Sequence, residues 1–149
     1  MPNQPEVCRR FNELPWHDSE LRCISVNYSI GSDNRGGHYE VFLRVNLQAR
    51  NNVESKEQLL PVEIRFFQSR IFHADLDLLG VRYCGGDISS AKCSEESEYM
   101  RRTDETRIAS FDLNQDETIL VGLRHFHIYL CPPSGEIDII ARDFEIVEI

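Results

Sequence analysis

His125 and His127 are the residues of this 149-residue chain whose type and spacing most resemble a chemical site. On a strand, positions i and i+2 project to one side, so both imidazoles can reach the same ion. A third ligand can come from His17, or from His73 and Asp75, which would share a face by the same rule. A stable metal site takes three or four ligands, and this strand supplies two. The downstream carboxylate and His with Gly-rich spacing that mark a cupin-type site are absent. The expectation is therefore a solvated histidine pair and no cofactor. Phe126 and Ile128 should face the core, leaving His125, His127 and Tyr129 on a wetter face. A metal-binding protein or metal-dependent enzyme using His17, His125 and His127 is the alternative.

His17-Asp18 admits two roles as well: a metal or base pair, or a turn. The turn is favoured. Asp18 is suited to bonding backbone N–H groups before a strand, with Trp16 burying itself to anchor the entry. Metal phosphohydrolases carry His-Asp on long helices, and no such helix is legible here. No G-x-S-x-G, G-x-G-x-x-G or G-x-x-x-x-G-K-[ST] pattern occurs, so nothing marks an enzyme. Cys8, Cys23, Cys84, Cys93 and Cys131 form no C-x-x-C pair and should be free thiols, mostly buried.

These residues need a scaffold, and the composition points to strands. There are five Ala and two Lys against 22 Ile plus Val, which depletes helix formers and enriches β formers. Leu, Ile, Val and Phe make up 43 of 149 residues, enough for a core. Alternation is clear over residues 22–30 (Ile24, Val26, Tyr28, Ile30) and 39–48 (Val41, Leu43, Val45, Leu47). A glycine-containing loop at 31–37 should join them as a hairpin. After a polar loop at 51–58, a strand opens at Pro61 with Val62, Ile64 and Phe66 inward. Residues 70–79 read as another strand and 85–87 as a turn. Residues 88–93 read as a short strand. Two apolar strands, 118–130 and 136–149, are joined by Cys131-Pro-Pro-Ser-Gly135. The predicted fold is all-β: one domain over 1–149, a single antiparallel β sandwich or partly open barrel of about seven strands. Residues 94–117 hold eight acids against three arginines and should form a solvated acidic loop with at most one helical turn.

The segment Leu14-Pro-Trp-His-Asp-Ser-Glu-Leu21 runs directly into an alternating strand. Near the end, Leu123-Arg-His-Phe-His-Ile-Tyr129 pairs with Gly135-Glu-Ile-Asp-Ile-Ile-Ala-Arg-Asp-Phe144. This layout is similar to small all-β bacterial proteins that open with a His-Asp-x-x-Leu element, some of them classed as immunity proteins of polymorphic toxin systems. The resemblance implies a compact β domain with no known enzymatic reaction and transfers no catalytic residue. The acidic stretch is a departure from it.

If Val41, Leu43, Val62 and Ile64 face inward, then Phe42, Arg44, Arg65 and Phe67 share an outer face. Phe beside Arg is a recurrent interface composition. That face is either a contact patch or a second buried layer under residues 70–79. The function expected is non-enzymatic protein binding through these four residues. Glu95, Glu96, Glu98, Asp104 and Glu105 would steer a basic partner from nearby. Self-association is the simplest form. A net charge of -9 with no basic cluster argues against nucleic acid. No apolar run reaches the ~18 residues of a membrane span. The polar, Pro-containing start does not read as a signal peptide, so a cytoplasmic protein is expected.

Overall fold

The computed structural model describes residues 4–30, 37–49, 58–77, 86–111, 122–132 and 134–149. The loops expected at 31–36 and 51–57 lie outside the described residues. So do the end of the 70–79 strand, the start of the 118–130 strand, and Cys84, Gly85, Asp112, Asp116, Glu117 and Pro133.

Among the described residues, eight antiparallel strands form two four-stranded sheets. The larger sheet has the order β1-β2-β3-β8, from β1 (Glu20–Ile30), β2 (Gly37–Ala49), β3 (Gln58–Ser69) and β8 (Asp143–Glu148). The smaller has the order β4-β7-β6-β5, from β4 (Ile71–Leu76), β7 (Gly135–Ala141), β6 (Arg124–Leu130) and β5 (Ile88–Ser94). The inner faces share one core. Val41, Leu43, Val45, Val62, Ile64 and Phe66 from the larger sheet meet Ile88, Phe126, Ile128, Ile137 and Ile139 from the smaller. The strands assigned to 22–30, 39–48, 61 onward and 88–93 are all present, with the expected residues of β2 and β3 buried.

The expected strand at 136–149 is two strands. Its chain leaves one sheet at Arg142 and enters the other, so β7 and β8 belong to different sheets. The neighbouring chain turns the same corner at Arg70, between β3 and β4. Two backbone bonds hold the bend: Arg70 N–H to Ile140 O at 2.8 Å, and Arg142 N–H to Phe67 O at 2.9 Å. Gln68, at φ 51, supplies the extra residue that shifts the β2–β3 register there.

Two helices depart from the sequence reading. The first, α1 (Gln4–Asn12), was not expected. Val7, Cys8 and Phe11 form its buried face. Glu6 in its first turn and Arg9 and Arg10 in its last complement the helix dipole. Phe11 is the hub of the aromatic core, with ring centroids 4.6 Å from Trp16, 5.0 Å from Phe126 and 5.2 Å from Phe144. Asn12 reaches β5 with both ends of its amide. Its Nδ2 donates to Cys93 O at 3.2 Å, and its Oδ1 accepts from Cys93 N–H at 2.7 Å.

The second helix, α2 (Glu98–Phe111), occupies most of what was expected to be an acidic loop over 94–117. Ser97 caps it, accepting the Met100 N–H at 3.1 Å. Glu98 pairs with Arg101 and Arg102, and Arg101 also pairs with Glu105. These spacings of three and four residues are the helical signal that a count of acids conceals. The helix carries three acids and three arginines, so its own net charge is zero. Tyr99 and Met100 dock it on Ile140, Ile71 and Leu123, over the outer face of the smaller sheet.

Candidate functional site

In the turn before β1 the expected Trp16 anchor is present, while the Asp18 carboxylate lies 3.6 Å from His17 Nε2. Trp16 is buried and donates Nε1–H to Phe11 O at 2.6 Å. Asp18 sits at φ 67, and its N–H bonds Ile88 O. His17 stays exposed, with Nδ1 3.3 Å from Ser89 O. It does not join His125. Ser89 lies at the start of β5, whereas His125 pairs with Ser94 at its end. Five residues along a strand separate the two by about 16 Å.

The third donor is Asp138. Cross-strand register sets His73, Asp138, His127 and Lys92 in one row across the smaller sheet. His125, two residues from His127, projects from the same face. Asp138 Oδ1 lies 2.6 Å from His125 Nε2 and 2.7 Å from His127 Nδ1. His73 Nδ1 is 3.9 Å from Asp138 Oδ2. Asp75, which shares that face, pairs instead with Glu136 one row away. Phe126 and Ile128 are in the core as expected. The wetter face beside them is drier than expected, because α2 covers one end of it. Tyr99 stacks on His125 at 4.7 Å and 20°, and His125 is 7% exposed. Tyr129 remains exposed.

The nitrogens that point away from Asp138 are held too. Ser97 Oγ is 2.9 Å from His125 Nδ1, and Glu136 Oε2 is 3.6 Å from His127 Nε2. Burial alone would push the Asp138 carboxyl up. Hydrogen bonds from His125 and His127 outweigh it and leave the group below its ordinary range. Sequence reasoning missed Asp138, Ser97, Tyr99 and Glu136. Counting register back from the Cys131–Gly135 connection would have set Asp138 opposite His127. Ser97→Ala removes both the helix cap and the partner of His125 Nδ1. It is expected to cost about 1 kcal/mol of stability and to shift the His125 imidazole resonances, read by thermal unfolding and by NMR.

The second candidate surface is the outer face of the larger sheet. Phe42, Arg44, Arg65 and Phe67 do share it, with Phe42 opposite Arg65 and Arg44 opposite Glu63. Phe42 is half-buried and Phe67 is 43% exposed, so the face is not a second buried layer. Arg65 Nε bonds Glu63 at 2.8 Å, Arg44 reaches Glu63 at 3.5 Å, and Arg65 reaches Glu145 at 3.5 Å. Bonding from Arg65 holds the Glu63 carboxyl below its usual range. The residues enclose a groove of about 1030 Å³, also lined by Cys23, Ser25 and Glu40.

No protein-family model matches the chain, and no curated protein or solved structure matches it.

Glu95, Glu96, Glu98, Asp104 and Glu105 do not flank this groove. They lie in α2 and the turn before it, on the smaller sheet's side of the corner, because the stretch folds as a helix whose apolar residues dock on Ile140. Cys8 and Cys93 are buried with their Sγ atoms 2.8 Å apart, and burial pushes both thiols up. Cys23 is exposed and Cys131 half-buried, so half of the described thiols depart from the buried expectation. All four are free. No described helix is long and apolar enough to cross a membrane.

Proposed function

We propose that this chain is a non-enzymatic protein-binding β domain that holds a polypeptide partner in the groove of the larger sheet. The observation that carries the reading is an exposed Phe67 and a half-buried Phe42 flanking the Arg44–Glu63–Arg65–Glu145 lattice. Half-buried and exposed aromatics beside pre-paired arginines supply anchors whose conformational freedom is already reduced. Glu40, Glu63 and Glu145 outnumber the two arginines, and the chain carries -9 overall, so the partner is basic. An immunity-type role in a bacterial cytoplasm is the specific form of this reading that the sequence resemblance suggests.

Site-specific photo-crosslinking tests it. A crosslinking amino acid at Phe67 is expected to give a discrete adduct in the source cell, and the same amino acid at Tyr129 on the other sheet none. An adduct of twice the chain mass identifies self-association. No adduct at position 67, or equal adducts from both faces, overturns the proposal. For the partner so identified, Phe67→Ala should weaken binding by about 30-fold, the equivalent of about 2 kcal/mol.

A further inference from the structure

We propose that His125, His127 and Asp138 form a binding site for a divalent first-row transition ion, with His73 as a further donor at its open side. The site lies on the other sheet from the groove and does not depend on the protein-binding reading.

Convergence is the first argument. One donor atom from each of the three residues lies within 4.8 Å of the others, on two adjacent strands whose register fixes their spacing. His127 and Asp138 are direct cross-strand partners, and His125 is one pleat away on the same face. Rigid sheet positions of this kind pre-set ligand geometry better than loops do.

The second argument is what each imidazole does with its other nitrogen. A metal-bound histidine usually gives its remaining N–H to a fixed acceptor, which sets the tautomer and aims the ring. His125 has such an acceptor within hydrogen-bond distance, and His127 has a carboxylate just beyond it. His125 Nδ1 faces Ser97 Oγ, itself fixed by the Met100 N–H at the start of α2. His127 Nε2 faces the Glu136 carboxylate. Tyr99 stacking holds the His125 plane from the third direction. Without an ion, His127 stands between two carboxylates, Asp138 and Glu136, and two rings crowd a single oxygen. An ion would accept all three converging lone pairs at once, with the ring protons then on the outer nitrogens, where Ser97 Oγ lies 2.9 Å from His125 Nδ1 and Glu136 Oε2 lies 3.6 Å from His127 Nε2.

The donor set selects the ion. Two imidazoles and one carboxylate suit Zn²⁺, Fe²⁺, Co²⁺ or Ni²⁺ and not Mg²⁺ or Ca²⁺, which prefer all-oxygen shells. The depth is graded. The side chains of His125 and Asp138 are buried, that of His127 is 29% exposed and that of His73 is 59% exposed. An ion held there would be anchored at the α2 side and open toward His73.

The full-length protein, stripped with a chelator and dialysed, is titrated with Co²⁺ and followed by its visible d–d absorption. Saturation at one equivalent, reversed by Zn²⁺, is the expected result. His127→Ala should abolish the bands, and His17→Ala should leave them unchanged. Ser97→Ala and Glu136→Gln should weaken Co²⁺ by about 10-fold or more. Asp138→Asn can fail to fold, because its carboxylate is buried. His73→Ala therefore serves as the second ligand variant: it is exposed, and it should weaken binding while near-ultraviolet circular dichroism stays unchanged. Absence of d–d bands in the wild type, or bands that survive His127→Ala, overturns the proposal.

Discussion

Phe11→Ala is expected to lower stability by about 4 kcal/mol and the unfolding temperature by about 10 °C. The ring is fully buried and touches Trp16, Phe66, Phe126 and Phe144, so one truncation removes the centre of an aromatic cluster shared by α1 and both sheets. The cavity is bounded by four rings fixed from different elements, which limits collapse. Arg9→Ala, on the exposed side of the same helix, should change stability by no more than about 0.5 kcal/mol. Urea unfolding of both variants separates packing from helix propensity. A loss below about 1 kcal/mol for Phe11→Ala would mean that α1 is an appendage and the sandwich closes without it.

Gly135→Ala should be nearly as damaging, for a different reason. Gly135 opens β7 at φ 117, and an added Cβ would sit 1.9 Å from Asp75 O and 3.0 Å from Leu76 Cα. Those are backbone atoms of β4, which cannot swing away as a side chain tip can. Separating β4 from β7 there is expected to cost about 3 kcal/mol or more. Gly122→Ala is the control. Gly122 also has a positive φ, at 76, but its nearest new neighbour is Arg142 Nη2 at 3.8 Å. Only backbone strain of about 1 kcal/mol is expected there. Equal losses at the two glycines would show that the close approach to Asp75 is not what matters.

The larger sheet was the most legible part of the sequence, because period-2 alternation reports a strand buried on one face. Val41, Leu43 and Val45, with Val62, Ile64 and Phe66, fixed both the core and the outer position of Phe42 and Phe67. The corner at Arg142 was hidden because an apolar run stays apolar while its chain passes between sheets, so 136–149 looked continuous. The helices were hidden for opposite reasons. In α1, three apolar positions are too few to show a period. In α2, eight acids across 94–117 drew notice to charge content, while the pairing of Glu98 with Arg101 and Arg102 lay in charge spacing. The site followed from these gains and losses. His125 and His127 were visible as a pair. Asp138 depends on register between strands, and the cover over His125 depends on a helix read as a loop.

The Asn12 amide has a consequence for how the molecule behaves in a crowd. A strand at the rim of a sheet exposes alternate N–H and C=O groups that any other extended chain can match, which is how edge-to-edge aggregation begins. β5 is such a rim strand. At Cys93 its free N–H and C=O are already taken by one side chain that offers an acceptor and a donor in the pattern a neighbouring strand would present. An arriving strand would have to displace both bonds and the helix that carries them. Asn12 thus lets α1 close one rim of the sandwich against strand addition without adding a strand of its own.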